Sequence, residues 1–203
     1  MLNPGCPSRS EAEQLLTWAQ ELNPGPWVDH SRTAARIAES IARRCGMDGD
    51  RAYTLGLLHD IGRYEGPREL HHVIAGHALM RDRGFDAPAR ICLTHSFSYP
   101  DLRAYCGSND CSETETAFLL NALAETEMDD DDRLIQLADA LGSVNGAVRL
   151  EIRLLDVFRR HGIPEMGREK IDASLALKEH FDRLAGMDIY RLFEEEIRAN
   201  CFR

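Results

Sequence analysis

The sequence predicts an all-α fold, and three observations carry that prediction. Apolar residues recur at three- and four-residue spacing along most of the chain, serine, aspartate and glycine stand where helices would start and stop, and period-2 alternation is absent. A length of 203 residues suits one domain, or a domain with an extension, around a substantial core. Hydrophobic and charged contents of 43% and 29% are ordinary for a globular chain.

Each element has its own justification. "SEAEQLLTWAQEL" opens with Ser10 and Glu13 at capping-box spacing, so a first helix is expected there, closed by the turn "NPGP". Residues 27–45 place Ala34, Ile37, Ala38 and Ile41 on one helical stripe, and His30 falls on the same stripe. A third helix is expected over about 50–62, another over 72–83 ending at Gly84, and a short one over 88–93. "HSFSYPDLRAYCGSNDC", rich in turn formers and aromatics, reads as an irregular loop. Ser112 and Glu115 form a second capping-box pattern. "DDDDRLIQLADALG" starts with acids that suit the positive end of a helix dipole, and that start is expected to be solvated. Three further helices are expected over 147–161, 168–185 and 188–199.

Composition excludes some functions. A net charge of −10 argues against a nucleic-acid binder, which needs a basic face. No apolar run approaches the roughly 20 residues that cross a bilayer, and the first residues show no basic-then-apolar leader pattern. The six cysteines (6, 45, 92, 106, 111 and 201) are scattered without a CxxC pair, so they are expected to be reduced thiols in a cytoplasmic protein.

The histidines are unevenly placed. Of eight, at 30, 59, 71, 72, 77, 95, 161 and 180, six fall between positions 30 and 95. One of them, His59, sits beside Asp60 at the end of the apolar run "YTLGLLHDIG". Singly, each polar residue has a structural explanation: His30 as a satisfied core histidine, Asp139 as a helical aspartate facing solvent. Jointly, buried imidazoles and carboxylates are costly unless paired or metal-bound, and one divalent cation would satisfy several of them. Nitrogen and carboxylate donors without thiolate suit iron, manganese, zinc, nickel or cobalt.

The order His30, His59-Asp60, Asp139, with "LLHDIGR" in the middle, resembles the HD superfamily of metal-dependent phosphohydrolases. "HHVIAGHALM" resembles the H-x-x-x-G segment of binuclear members and selects His72, with Gly76 four residues on, over His77. "ICLTHSF" and "RLIQLADAL" resemble the next two segments and select His95 and Asp139. The resemblance implies an HD-domain helical bundle, in which 1–203 is one domain with its core over about 27–145 and a helical C-terminal extension over 147–203. It implies that His30, His59, Asp60 and Asp139 hold one cation and that His72 and His95 hold a second, bridged by Asp60. One or two divalent ions (Fe, Mn, Ni, Co, Zn or Mg) are thus the expected cofactors, with Asp60 and Arg63 as catalytic residues. Arg63 stands where many relatives have lysine, and a cation satisfying helix-terminal carbonyls is its structural alternative.

The reaction so implied is hydrolysis of a phosphate ester of a small molecule or nucleotide through a metal-activated water. A di-iron oxygenase and a noncatalytic nucleotide-binding module are the alternatives. No "GYP" follows His95, which disfavours cyclic di-guanylate as substrate. The loop 96–111 is a candidate lid, with Phe97, Tyr99 and Tyr105 for stacking and Arg103 for phosphate, or else merely a packed loop. Arg32 and Arg36 are further candidate phosphate contacts. His161 and His180 are read as surface residues, and His71 as exposed or supporting. A homodimer through the last helices stays open.

Overall fold

The computed structural model describes residues 5–200. Among them helices dominate, and the expected all-α class holds. Helix α1 (Arg9–Leu22) lies on α3 (Gly49–Leu58), and α2 (Trp27–Arg44) runs through the centre against both α3 and α7 (Asp130–Leu141). Helices α4 (His71–Asp82) and α5 (Asp86–Thr94) pack on each other, and α5 also packs on α3 and on α6 (Glu113–Glu125). The last part comprises α8 (Leu150–His161), α9 (Gly167–Ala185) and the short α10 (Glu194–Asn200).

Helix α2 is central because its apolar stripe is wide. Ile37, Ala38, Ile41 and Ala42 pack into one core with Leu134, Leu137 and Leu141 of α7 and Phe181 of α9. Its opposite flank, Val28 and Ala35, joins Leu16, Leu57, Leu58 and Met80 in a second core. A smaller cluster sits under the 95–111 loop, around Leu70, Val73, Phe97 and Leu119. Small residues let the backbones approach; a Cβ on Gly56 would lie 2.8 Å from the Ala35 Cα.

Several local expectations need correction. The first capping box is Ser8 with Glu11, not Ser10 with Glu13. Both pairs have the same spacing, but Glu13 is engaged elsewhere, accepting from Arg32 at 2.5 Å and from the Tyr53 hydroxyl at 2.5 Å. The third helix stops at Leu58 rather than continuing to 62, and a 3-10 turn follows over Ile61–Glu65. A two-stranded antiparallel hairpin, β1 (Gly142–Ser143) with β2 (Gly146–Ala147), interrupts the helices. The "DDDD" start is only partly solvated: Asp129 caps α7, while Asp132 is fully buried and accepts from the Thr94 hydroxyl at 2.7 Å. The Ser112–Glu115 box is present at the start of α6.

Candidate metal centre

The six residues singled out above come from five separate segments, and the fold brings them to one place. His30 is in the first turn of α2, His59 and His95 stand at the C-terminal ends of α3 and α5, His72 begins α4, and Asp139 is near the end of α7. The C-terminal ends of α3, α5 and α7 thus aim at one region, and their partial negative charge favours a cation there. Asp60 is outside any α-helix, at φ −101° and ψ 12°, between α3 and the 3-10 turn. That break, rather than helical rotation, separates its carboxylate from the His59 ring.

Close backbone approach makes the meeting possible. Gly62, in the 3-10 turn, lies against α4 so tightly that a Cβ there would collide with the His72 carbonyl oxygen and the Gly76 amide nitrogen. The turn carrying Asp60 is therefore seated directly on the helix carrying His72.

Within the cluster, Asp60 faces two ways. Its Oδ1 is 3.1 Å from His72 Nε2 and 3.5 Å from His95 Nε2, while Oδ2 is 3.8 Å from His59 Nε2. Asp139 Oδ1 is 2.9 Å from His30 Nε2 and 3.8 Å from His59 Nε2. His30, His59, Asp60, His72 and His95 are buried; the Asp139 side chain keeps 27% exposure.

Backbone carbonyls fix the rings. His59 Nδ1 donates to Gly56 O at 2.7 Å, His72 Nδ1 donates to Glu69 O, and His95 Nδ1 donates to Ile91 O and Cys92 O at 3.1 and 3.0 Å. With the proton on Nδ1, each neutral ring presents Nε2 as a bare acceptor. His72 Nε2 and His95 Nε2 consequently face each other at 3.3 Å, with a carboxylate oxygen beside them. Three acceptors facing one another repel unless a cation lies between them. His59 Nε2 is buried without any hydrogen-bond partner, as is His30 Nδ1. These observations fit a metal: the orphaned His59 Nε2 lies among facing imidazole nitrogens and carboxylate oxygens, and three overlapping donor sets (His30, His59, Asp60; His59, His95, Asp139; Asp60, His72, His95) could each hold an ion.

The titration behaviour follows from burial and charge. Burial lowers His59 to about 4, against the opposing pull of Asp60 and Asp139. Burial and the Arg63 charge lower His72. Burial would raise the Asp60 carboxyl, but Arg63, His59 and His72 outweigh it and hold it well below the usual carboxylate range. Asp139 is lowered too, since His30 and His59 outweigh its desolvation. Ionised Asp60 and Asp139 carboxylates and neutral His59 and His72 imidazoles are the forms in which these groups ligate metals.

Arg63 Nε donates to Asp60 Oδ2 at 2.7 Å, and its Nη1 donates to the Arg68 carbonyl at 3.2 Å. It borders a cavity of about 850 Å³ whose floor is the cluster. Of the candidate lid residues, Tyr105 lines this cavity, Phe97 is buried in the core beneath, and Tyr99 is only partly buried. Arg103 is not at the cavity; Asp101 and Glu165 hold its guanidinium. Arg32 and Arg36 are likewise spent on Glu13 and Glu196. His77 donates to the Ala89 carbonyl, away from the cluster, and His71 lies between Glu65 and Glu115. His161 is an exposed residue beside the cavity, as expected, whereas His180 is half-buried against Asp130.

The HD-domain family model matches residues 27–143, more than half of the chain and all six of these positions. The chain belongs to the HD-domain family. HD domains bind divalent metals, which agrees with the donor sets of the cluster. A deoxyguanosinetriphosphate triphosphohydrolase-like protein of Bradyrhizobium sp. (strain ORS 278) is 38% identical over 81 residues, covering 36% of this chain and 20% of that protein. The chain thus spans about a fifth of the length of that relative. No solved structure matches the chain. No described helix is long and apolar enough to cross a membrane.

Proposed function

We propose that this HD domain is a metal-dependent phosphohydrolase that cleaves a phosphate ester of a small molecule or nucleotide. The supporting observation is the unpaired facing of His72 Nε2, His95 Nε2 and Asp60 Oδ1 beside the orphaned His59 Nε2. In this reading His30, His59, Asp60 and Asp139 would hold one divalent cation, and His72, His95 and Asp60 would hold a second. Divalent cations held there would lower the pKa of a bound water towards neutral and supply positive charge for the phosphoryl group.

The chain's own groups do the rest. Carbonyl anchors on Nδ1 hold three of the four rings in place and keep their Nε2 atoms free of protons. Arg63 orients Asp60 through the 2.7 Å bond and adds a fixed positive charge at the cavity edge. Burial keeps the Tyr105 phenol protonated, so it faces the cavity as a hydrogen-bond donor. The nucleotide option draws support from the name of the Bradyrhizobium relative. Free thiols among the described residues suit a reducing, cytoplasmic setting.

The test is release of inorganic phosphate from p-nitrophenyl phosphate and from a nucleotide panel, with manganese, nickel or cobalt added. Metal-dependent release that a chelator abolishes is expected. A panel without turnover, on protein shown to contain metal, would overturn the proposal, and iron-dependent oxygen uptake would replace it by an oxygenase reading.

A further inference from the structure

Part of the cavity wall is built by residues beyond the family match. Arg153 and Arg160 come from α8, Lys170 and Ser174 from α9. Two contacts fasten α9 to the segment that follows His95: Lys170 Nζ lies 3.4 Å from the Ser96 carbonyl oxygen, and the Ser98 and Ser174 hydroxyls are 3.3 Å apart. The Lys170 ammonium is therefore moored one residue along from a member of the metal cluster.

Its electrostatic situation differs from that of its neighbours. The chain has only two lysines. Lys178 is paired with Asp182 at 2.6 Å and Asp188 at 2.9 Å. Arg153 and Arg160 share Asp156, at 3.7 and 3.0 Å. Lys170 has no carboxylate partner among the described residues; its hydrogen bond is the long one to the Ser96 carbonyl. A half-buried ammonium that borders a cavity and lacks a counter-charge is costly, and an anion entering the cavity would relieve it.

We propose that Lys170 is a specificity residue that binds a second anionic group of the substrate, a phosphate or carboxylate remote from the phosphoryl group held at the cluster. The inference rests on the phosphohydrolase reading and narrows it: the preferred substrates are small phosphorylated molecules with an anion at each end. Arg153 and Arg160 line the same cavity. The HD core thereby supplies the reaction, and the C-terminal helices choose the substrate.

The experiment measures binding to the full chain, loaded with manganese, by calorimetry. Three sets of unhydrolysable probes of increasing length are compared: n-alkylphosphonates, α,ω-alkylene bisphosphonates and ω-phosphonoalkanoates. At a matching length, a doubly anionic probe should bind roughly tenfold tighter than its monophosphonate counterpart, as expected for one added charge-assisted contact. Which probe gains identifies the group as phosphate or carboxylate. Lys170→Met should collapse that ratio towards one, and Lys170→Arg should keep most of it. Equal binding of singly and doubly anionic probes at every length, or a ratio unchanged in Lys170→Met, overturns the inference while leaving the phosphohydrolase reading intact. Failure of even the monophosphonates to bind the metal-loaded protein overturns both.

Discussion

The core that carries the histidine and aspartate cluster and the C-terminal helices treat their polar residues in opposite ways. In the core, groups far apart in sequence are withdrawn from water and made to meet: His30 and Asp139, 109 residues apart, approach to 2.9 Å. In the C-terminal helices, charges pair with near neighbours, as in Arg160 with Asp156 and Lys178 with Asp182, each one helical turn apart. Apolar residues there are left in solvent, with Leu155 67% and Ile163 76% exposed. A buried cluster of acceptors persists only if something compensates it, whereas local surface pairs contribute little and tolerate change. Chemistry is thus expected in the first region, and in the second Lys170 stands out because it lines the cavity and has no carboxylate partner among the described residues.

The contrast can be broken most severely at Gly62. Gly62→Ala would push the 3-10 turn off α4, and a loss on the order of 4 kcal/mol or more is expected, as for the severest backbone and core clashes. Denaturant melts, or failure to accumulate soluble protein, would show it. Unchanged stability would mean that the turn and α4 are not seated as described. Next in size is Arg63→Met, which removes the group that orients Asp60 without touching a donor atom. Metal affinity or phosphate release should fall roughly 10–100-fold, the usual range for a partner of a metal ligand.

A smaller effect comes from pH. In the metal-free protein His59 titrates at about 4, below its ordinary 6.5, because burial disfavours the charged ring. The folded state then binds fewer protons than the unfolded state between those values. Stability is fully present above pH 6.5 and declines as pH falls towards 4, by about 1.4 kcal/mol per pH unit from this histidine. Urea midpoints measured across that window on chelator-treated protein check the sign; a midpoint that rises on acidification would contradict it. At the small end, Leu155→Ser on the exposed face of α8 should change stability by no more than about 0.5 kcal/mol. A larger loss would reveal that this face is covered in solution.

How much of this was legible in the sequence depended on whether a signal was local. Helical spacing and the Ser112–Glu115 box located helices well because both are properties of neighbouring residues. The end of α3 at Leu58 was missed, since "LLHDIG" continues the apolar pattern while Gly62 must fit against α4, a contact no local pattern encodes. The first capping box was misplaced because two serines share the same spacing to a glutamate, and Arg32 and Tyr53 decide between them. The six site residues were found by their resemblance to a family, and the structure gathers all six. Lys170 and Arg160 carried no signal: each is an ordinary cation in a helix outside that resemblance, and only the position of α8 and α9 over the cavity distinguishes them. Asp132 escaped for a similar reason, as a run of four acids gives no hint that one of them is buried against Thr94.

The most direct test of the account is elemental analysis of the purified protein, counting divalent ions per chain. Two ions are expected in the unaltered protein, one after His72→Ala, and none held tightly after Asp60→Ala, whose carboxylate both halves of the cluster share. A chain that binds no stoichiometric metal, or one whose metal content is indifferent to Asp60→Ala, would contradict the claim that these side chains converge in order to hold cations.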